Sequence, residues 1–259
     1  MSKLSDVFKN NKAFIAFITG GDPDLETTEK LLYAMSESGA DIIEIGIPFS
    51  DPIAEGPVIQ KASQRALDGG CTTDKLFELA ARVSPNIDTP LVFMTYINPI
   101  YTYGKDKFMD KCSQSGIKGI IVPDLPFEEK EELSDVCDKY GIDLISLIAP
   151  TSNERITKIA KEAKGFIYCV SSLGVTGVRS EITTDVGAMT KLVKQVSDIP
   201  CAIGFGISTP EQAAKMAESS DGVIVGSAIV KIVEKYGKDS IEYVKDYVKS
   251  MKEAVTNKI

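Results

Sequence analysis

The sequence contains no histidine in 259 residues. Histidine is the side chain that proteins use most often as a general base and as a zinc ligand. Its absence argues against Ser-His-Asp triads, zinc hydrolases and metal-dependent aldolases. Acid–base chemistry in this chain must therefore use other groups, with carboxylates as the main candidates.

Paired cysteines and long apolar runs are also missing. The five cysteines form no CxxC spacing, and their odd number suits reduced thiols in a reducing compartment. The N-terminus, MSKLSDVFKNNKAF, lacks the apolar run of a signal peptide, and no stretch approaches the roughly 18 to 20 apolar residues of a membrane span. We expect a cytoplasmic protein that does not interact with membranes.

Basic residues are in the minority, with 29 Lys and Arg against 37 Asp and Glu and a formal net charge of −8. This balance argues against general binding to nucleic acid or to anionic membranes. An anionic substrate would need a local binding site. The remaining composition, 43% hydrophobic and 25% charged, is ordinary for a globular protein.

Eight short apolar runs alternate with amphipathic stretches of helical period. The runs cover residues 13–19, 41–46, 90–96, 119–123, 142–148, 166–171, 200–206 and 222–226. Apolar strands that alternate with helices are typical of a parallel sheet covered by helices. The pattern predicts an α/β protein, a single (β/α)8 TIM barrel domain over residues 1–259, with extra helices at the N-terminus and in the second and eighth units. An open doubly wound sheet is the weaker alternative, because no GxGxxG motif opens the first unit.

Active sites of such barrels lie at the C-terminal ends of the strands. The residues at these ends are Thr19, Glu44, Tyr96, Asp124, Ser171, Gly204, Gly206 and Gly226. None of them is a lysine, so Schiff-base chemistry has no evident nucleophile. Carboxylates, aromatic rings and backbone amides remain as the chemical groups of a site.

Glu44 interrupts the apolar run DIIEIG, where it shares the phase of Ile42 and Gly46. A carboxylate is costly on either face of a barrel strand unless it is paired, and burial raises its pKa. Such a Glu is a useful general acid or base near neutral pH. We predict a catalytic role for Glu44; a structural carboxylate bonded to a tyrosine or a backbone amide is the alternative. Spacing alone predicts only a solvated loop residue for Glu55.

Two glycine-containing stretches end the seventh and eighth strands, AIGFGIST (202–209) and VIVGSAIV (223–230). Glycines there let backbone N–H groups approach a ligand, and a helix that begins at Ser227 offers its positive end to an anion. Together they predict a phosphate site, with tight turns that bind no ligand as the alternative.

Residues 171–185 form a long loop after the sixth strand, with Gly174 and Gly177 as hinge candidates. We interpret this loop as a lid over the site, and a surface loop without function is the alternative. The aromatic residues near the same rim are Phe17, Tyr96, Tyr168 and Phe205. They are candidates for the walls of a pocket for an aromatic substrate, although such residues are more often plain core.

The motifs of this chain, taken in order, closely resemble the tryptophan synthase α subunit family. The matching stretches are FITGGDP (17–23), EIGIPFSDPIAEGPVIQ (44–60), YINPIYTYG (96–104), VPDLPFEE (122–129), GVTGVR (174–179), GFGIS (204–208) and VGSAIVKIVE (225–234). The resemblance implies a TIM barrel that cleaves indole-3-glycerol phosphate to indole and glyceraldehyde 3-phosphate in tryptophan biosynthesis. It implies no cofactor in this chain. A pyridoxal-phosphate β subunit would be its partner, in an α2β2 heterotetramer.

The resemblance also implies residue roles. Glu44 matches the acid/base that serves indole C3 and the glycerol hydroxyl, and Glu55 matches the carboxylate at the indole nitrogen. Substrate-binding residues implied or suggested by position are Phe17, Tyr96, Asp124, Tyr168, Thr176, Gly177, Gly204, Phe205, Gly206, Gly226 and Ser227. Candidate contacts with the β subunit are Asp51, Asn98 and Pro99.

One position departs from the family pattern, which has Ala-Asp-Gly where this chain has Ala54, Glu55 and Gly56. The added methylene moves the carboxylate by about 1 Å or more, and such a displacement can lower a rate by about 10²-fold. The alternative function is therefore a subunit that mainly binds and activates the β subunit, with weak lyase activity. A third, weaker hypothesis is another phosphate-binding barrel, such as an isomerase of a phosphorylated sugar.

Overall fold

The computed structural model of the chain describes residues 4–170, 186–204 and 206–256. Eight parallel strands pair in chain order and close into a barrel. The strands are β1 (Ala13–Thr19), β2 (Ile42–Gly46), β3 (Leu91–Met94), β4 (Ile117–Ile121), β5 (Asp143–Ile148), β6 (Ile167–Val170), β7 (Cys201–Gly204) and β8 (Gly222–Val225). The predicted TIM barrel is confirmed.

Helices surround the barrel. In the described ranges they are α1 (Leu25–Glu37), α2 (Pro57–Asp68), α3 (Thr73–Val83), α4 (Ile97–Tyr103), α5 (Lys105–Gln114), α6 (Glu131–Tyr140), α7 (Asn153–Glu162), α8 (Val186–Lys194), α9 (Pro210–Glu218), α10 (Ser227–Tyr236) and α11 (Ile241–Thr256). Four of them begin at a residue whose side chain accepts a hydrogen bond from the first turn, a strong helix-start signal. These capping residues are Asp24, Thr72, Ser152 and Thr209.

The extra helices of the second and eighth units are present as α2 with α3 and α10 with α11. The extra N-terminal helix is only a five-residue 3-10 helix, Leu4–Phe8. The third unit also has two helices: helical period in the sequence predicts α5, whereas α4 was not predicted. Gly104 is both the last capping residue of α4 and the first capping residue of α5, and its φ is 92°. Glycine tolerates this positive φ without a steric cost.

Alternation along the strands divides the core into two layers. Side chains from all eight strands meet inside the barrel, and Ile15, Ile42 and Ile224 belong to this inner cluster. Their neighbours of opposite phase, such as Phe14 and Ile43, pack against the helices instead. A polar side chain in the inner phase therefore points into the barrel.

The N-terminal 3-10 helix covers the end of the barrel at which the strands have their N-termini. Leu4 joins the inner cluster, and the Phe8 ring packs against the Phe166 ring with centroids 5.6 Å apart. The opposite end, where the strands have their C-termini, is the end at which barrels of this type place a site.

An ion pair connects three elements near that end. The Arg65 guanidinium on α2 donates two hydrogen bonds of 2.8 Å to Asp22, which follows β1. It also lies 3.4 Å from Glu234 on α10. Because Asp22 is buried, this pair fixes the position of α2 relative to the barrel. No helix in the described part of the chain is long and apolar enough to cross a membrane.

Candidate active site

Glu44 lies in the middle of β2, beside Phe17 of β1 and Val92 of β3 in the strand register. It shares the phase of Ile42, so its side chain enters the barrel near the C-terminal ends of the strands. The residue is fully buried, and neither carboxyl oxygen has a hydrogen-bond partner among the described residues. The structural alternative, a carboxylate held by a tyrosine or a backbone amide, is therefore not supported by any described contact.

Burial without a partner changes the protonation of Glu44. Loss of hydration raises its pKa from 4.5 to about 8. Burial, together with the nearby Glu44 carboxyl group, also raises the pKa of the Tyr168 hydroxyl well above its ordinary value. Near neutral pH both groups are protonated, and Glu44 has a proton to give.

Glu55 lies in the turn that leads into α2, directly before the helix-capping residue Gly56. Its carboxyl group accepts a hydrogen bond from the Tyr96 hydroxyl, while Oε2 is buried and has no partner among the described residues. Burial raises the pKa of Glu55 to about 7, and the Tyr96 hydroxyl opposes this rise. Glu55 is therefore not the solvated loop residue that spacing predicted.

Both carboxylates line one cavity of about 50 Å³ at the C-terminal end of the barrel. Its walls are Phe17, Glu44, Glu55, Ile59, Met94, Tyr168, Gly206, Ile207, Ile224, Gly226 and Ser227. Both carboxyl groups thus share the cavity with two aromatic rings, those of Phe17 and Tyr168.

Glycines shape the wall between β7 and β8. A Cβ on Gly226 would lie 3.0 Å from Phe17 Cδ1, and a Cβ on Gly204 would lie 2.5 Å from the Tyr168 hydroxyl oxygen. Gly206 has a φ of 86°, which favours glycine. Gly226 precedes α10 without a side-chain cap, so the first-turn N–H groups beside Ser227 are available to an anion.

The cavity brings together most, but not all, of the predicted site residues. Tyr96 and Gly204 do not line it: Tyr96 contacts the turn that carries Glu55, and Gly204 lies against Tyr168. Asp124 accepts a hydrogen bond of 3.0 Å from the Ile97 N–H at the start of α4. Predicted residues outside the described ranges are Thr176, Gly177 and Phe205, with the lid interpretation of residues 171–185.

Four apolar wall residues were not predicted: Ile59, Met94, Ile207 and Ile224. Met94 has the inner phase of Val92, and Ile224 lies in the inner cluster, so strand phase was a usable signal for both. Ile59 reaches the cavity from α2, and no sequence pattern indicated this.

In residues 4–170, 186–204 and 206–256, no group of three or more Cys, Asp or Glu side chains is arranged to hold a metal ion. Of the candidate partner contacts, Asp51 and Asn98 are exposed and Pro99 is half-buried in α4.

A closed parallel barrel with a buried carboxyl group, a half-buried one and a glycine-lined helix N-terminus in one cavity defines an α/β-barrel enzyme. The family model described as tryptophan synthase alpha chain matches residues 4–258. The chain belongs to this family. The hypothesis of a phosphorylated-sugar isomerase is thereby wrong.

Relatives and solved structures match this chain over most or all of its length. The chain is 48% identical to the tryptophan synthase alpha chain of Lacticaseibacillus casei over 258 residues, covering 100% of this chain and 97% of the relative. The alpha chain structure from Legionella pneumophila subsp. pneumophila has a TM-score of 0.88 at 36% identity, with 98% of this chain and 97% of that chain covered. A chain of the tryptophan synthase α2β2 complex of Pyrococcus furiosus has a TM-score of 0.85 at 36% identity, with coverages of 93% and 98%.

Proposed function

We propose that Glu44 and Glu55 are the two acid–base groups with which this chain cleaves indole-3-glycerol phosphate to indole and glyceraldehyde 3-phosphate. The cleavage is the reaction of its family. The observation that carries the assignment is the shared cavity, in which each carboxyl group has a buried oxygen without a described partner. Buried oxygens of this kind are suited to substrate contacts, because leaving them unpaired is costly.

The first step makes the indole ring able to accept the electrons of the breaking bond. Glu44, protonated near neutral pH, gives its proton to indole C3. Glu55, with a pKa of about 7, takes the proton of the indole N1–H. The ring is then a neutral 3H-indole with a C2=N1 double bond, which acts as the electron acceptor.

The second step breaks the carbon–carbon bond. The Glu44 carboxylate accepts the proton of the glycerol hydroxyl next to the ring, and the electrons of that O–H bond form the aldehyde carbonyl. The pair from the broken bond restores the C2=C3 double bond, and N1 regains its proton from Glu55. Both carboxyl groups return to their starting states, so the reaction needs no other co-reactant.

The phosphate is assigned to the wall formed by Gly206, Gly226 and Ser227. The first turn of α10 supplies N–H donors and the positive end of the helix, which stabilise an anion in a protein of net charge −8. Phe17 and Tyr168 supply aromatic faces in the same cavity for the indole ring.

A β subunit is the proposed partner, in an α2β2 assembly like that of the Pyrococcus furiosus structure. The turn before α2 exposes Asp51 and 73% of Ile53, and α4 exposes Asn98. This surface adjoins the Glu55 turn, so a partner bound there would contact the catalytic segment directly. Pyridoxal phosphate is expected only in the partner. The cytoplasmic location stays a prediction.

The test is indole release from indole-3-glycerol phosphate by the purified chain. The Glu44→Gln variant keeps the shape of the side chain and loses the transferable proton, so turnover should fall by about 10²- to 10⁴-fold. Undiminished turnover in this variant would overturn the assignment of Glu44. β-subunit activation without lyase turnover by the unmodified chain would instead support the binding-subunit alternative.

A further inference from the structure

Tyr96 lies just after β3, directly before α4, and its ring is buried. Its hydroxyl oxygen accepts a hydrogen bond of 3.0 Å from the Ala54 N–H. Hydrogen bonding by the same hydroxyl also lowers the pKa of Glu55, the residue that follows Ala54 in the turn. One hydroxyl group thus contacts both the backbone and the side chain of the turn before α2.

We propose that Tyr96 is the positioning residue of the acid–base pair, since its hydroxyl holds the Glu55 turn and carboxyl group so that Oε2 faces the substrate. This inference rests on the proposed role of Glu55. It assigns Tyr96 a different task from contact with the substrate, in keeping with its absence from the cavity wall.

The hydrogen bonds of this hydroxyl leave it little freedom to rotate. A phenolic hydroxyl has one proton to donate and lone pairs that accept. The Ala54 N–H donates to the oxygen at 3.0 Å, which leaves the hydroxyl proton for an acceptor such as the Glu55 carboxyl group, whose pKa this hydroxyl lowers. The ring is also fixed, because it packs against the Phe49 ring with centroids 5.4 Å apart.

The surroundings of Tyr96 keep its hydroxyl protonated, so that it can donate a hydrogen bond. Burial, followed by the nearby carboxylates of Glu55 and Asp124, raises the pKa of Tyr96 to about 12. The hydroxyl therefore stays protonated near neutral pH. The other titratable groups that face the cavity are Glu44 and Tyr168. Neither donates a described hydrogen bond to Glu55, so Tyr96 is the described side chain that favours its ionised form.

The Tyr96→Phe variant tests this role, because it keeps the ring and removes only the hydroxyl. Loss of one hydrogen bond to the carboxylate should raise the pKa of Glu55 by about half to one pH unit. It should also lower kcat about tenfold with KM within about twofold, since the carboxyl group is then less well placed. The Glu55 pKa is measured by ¹³C NMR of the labelled carboxyl carbon, with the signal assigned by its absence in Glu55→Gln.

Tyr140→Phe is the matched control, since it removes a hydroxyl that contacts Asp106 at 3.4 Å on the outer helices. It should leave the Glu55 titration and kcat unchanged. An unshifted Glu55 titration in Tyr96→Phe would overturn the positioning role, whether or not the chain turns over substrate. A shifted titration in a chain that releases no indole would support the positioning role and contradict the proposed function, so the two failures are distinguishable.

Discussion

Glu44 and Glu55 reach the same cavity from different elements, the first from the middle of β2 and the second from the turn before α2. A strand inside a closed barrel is among the most rigid parts of a protein, whereas a turn depends on its tertiary contacts. The two carboxylates therefore differ in what holds them. Glu44 is fixed by the pairing of β2 with its neighbouring strands. Glu55 is held by Tyr96 and by the Gln60 side-chain amide, which donates a hydrogen bond of 2.7 Å to the Glu55 backbone oxygen.

Shortening Glu55 should therefore lower activity. In Glu55→Asp the carboxyl group retracts by about one C–C bond of roughly 1.5 Å, away from either Tyr96 or the substrate. We expect kcat to fall by about tenfold or more in the indole-release assay. Glu78→Asp, the same change at an exposed position on α3, is the control. An increase in kcat in Glu55→Asp would instead show that the glutamate limits the reaction, as the binding-subunit alternative requires.

The buried Glu44 and the half-buried Glu55 should make stability depend on pH. Their pKa values are raised on folding, from 4.5 to about 8 for Glu44 and to about 7 for Glu55. The folded chain thus binds more protons than the unfolded chain between these values, so the free energy of unfolding falls as pH rises. This contribution is complete below about pH 4.5 and lost by about pH 8.

Urea unfolding from pH 5 to 9 measures this dependence. Glu44→Gln should reduce the decline, and the double variant with Glu55→Gln should remove most of what remains. The single variant should also be at least as stable as the unmodified chain at pH 9, where the buried Glu44 is ionised and unpaired. An unchanged pH dependence in the double variant would contradict the burial argument.

The sequence predicted the barrel and Glu44 for the same reason. Both are local patterns: strand phase with helical period for the fold, and a carboxylate in an apolar strand for the site. The wall that we propose for the phosphate was also visible in the sequence, because its glycines occupy the ends of adjacent strands.

Glu55 and Tyr96 show where local pattern fails. Nothing in SDPIAEGP signals burial, and only the family resemblance assigned Glu55 a role. Its burial arises because Tyr96, some 40 residues away, binds the turn from another unit of the barrel. Resemblance placed Tyr96 at the substrate, but its described contacts are with that turn. The first helix of the third unit, α4, was missed because it has only seven residues, one of them proline, and runs into α5 at Gly104 without a loop.

Substitution of Gly226 should test the phosphate wall. In Gly226→Ala the new Cβ would lie 3.0 Å from Phe17 Cδ1 and would cover backbone that an anion needs to approach. We expect KM for the phosphorylated substrate to rise about tenfold, in line with a loss of about 1.4 kcal/mol of binding. Inhibition by an indole-glycerol lacking the phosphate should change less. Gly69→Ala, whose Cβ would lie 3.3 Å from the Arg65 backbone oxygen, is the control. Equal losses of affinity for the phosphorylated substrate and for the analogue without phosphate would show that the substitution disturbs Phe17 and not phosphate binding.

Removal of Arg65 should destabilise the chain. Asp22 is buried, so Arg65→Ala leaves a carboxylate without its two-point partner. We expect the free energy of unfolding to fall by about 2 kcal/mol, because the guanidinium is itself one-third exposed and screened by water. Lys245→Ala, which breaks an exposed ion pair with Glu37, should cost about 0.5 kcal/mol or less. Equal losses in the two variants would show that burial of Asp22 adds nothing to the pair.

The pH profile of kcat/KM should be a narrow bell. The proposed mechanism needs Glu44 protonated and Glu55 ionised in the free enzyme. Activity should therefore be lost as pH falls through the Glu55 pKa of about 7 and as pH rises through the Glu44 pKa of about 8. Tyr96→Phe should move only the acid limb, and it should move it to higher pH, because the lost hydroxyl no longer stabilises the Glu55 carboxylate. Initial rates of indole release from pH 5.5 to 9.5 give both limbs. A profile that stays flat across pH 7 to 9 would show that Glu44 does not need its proton, and the C3 protonation step would have to be assigned to another group.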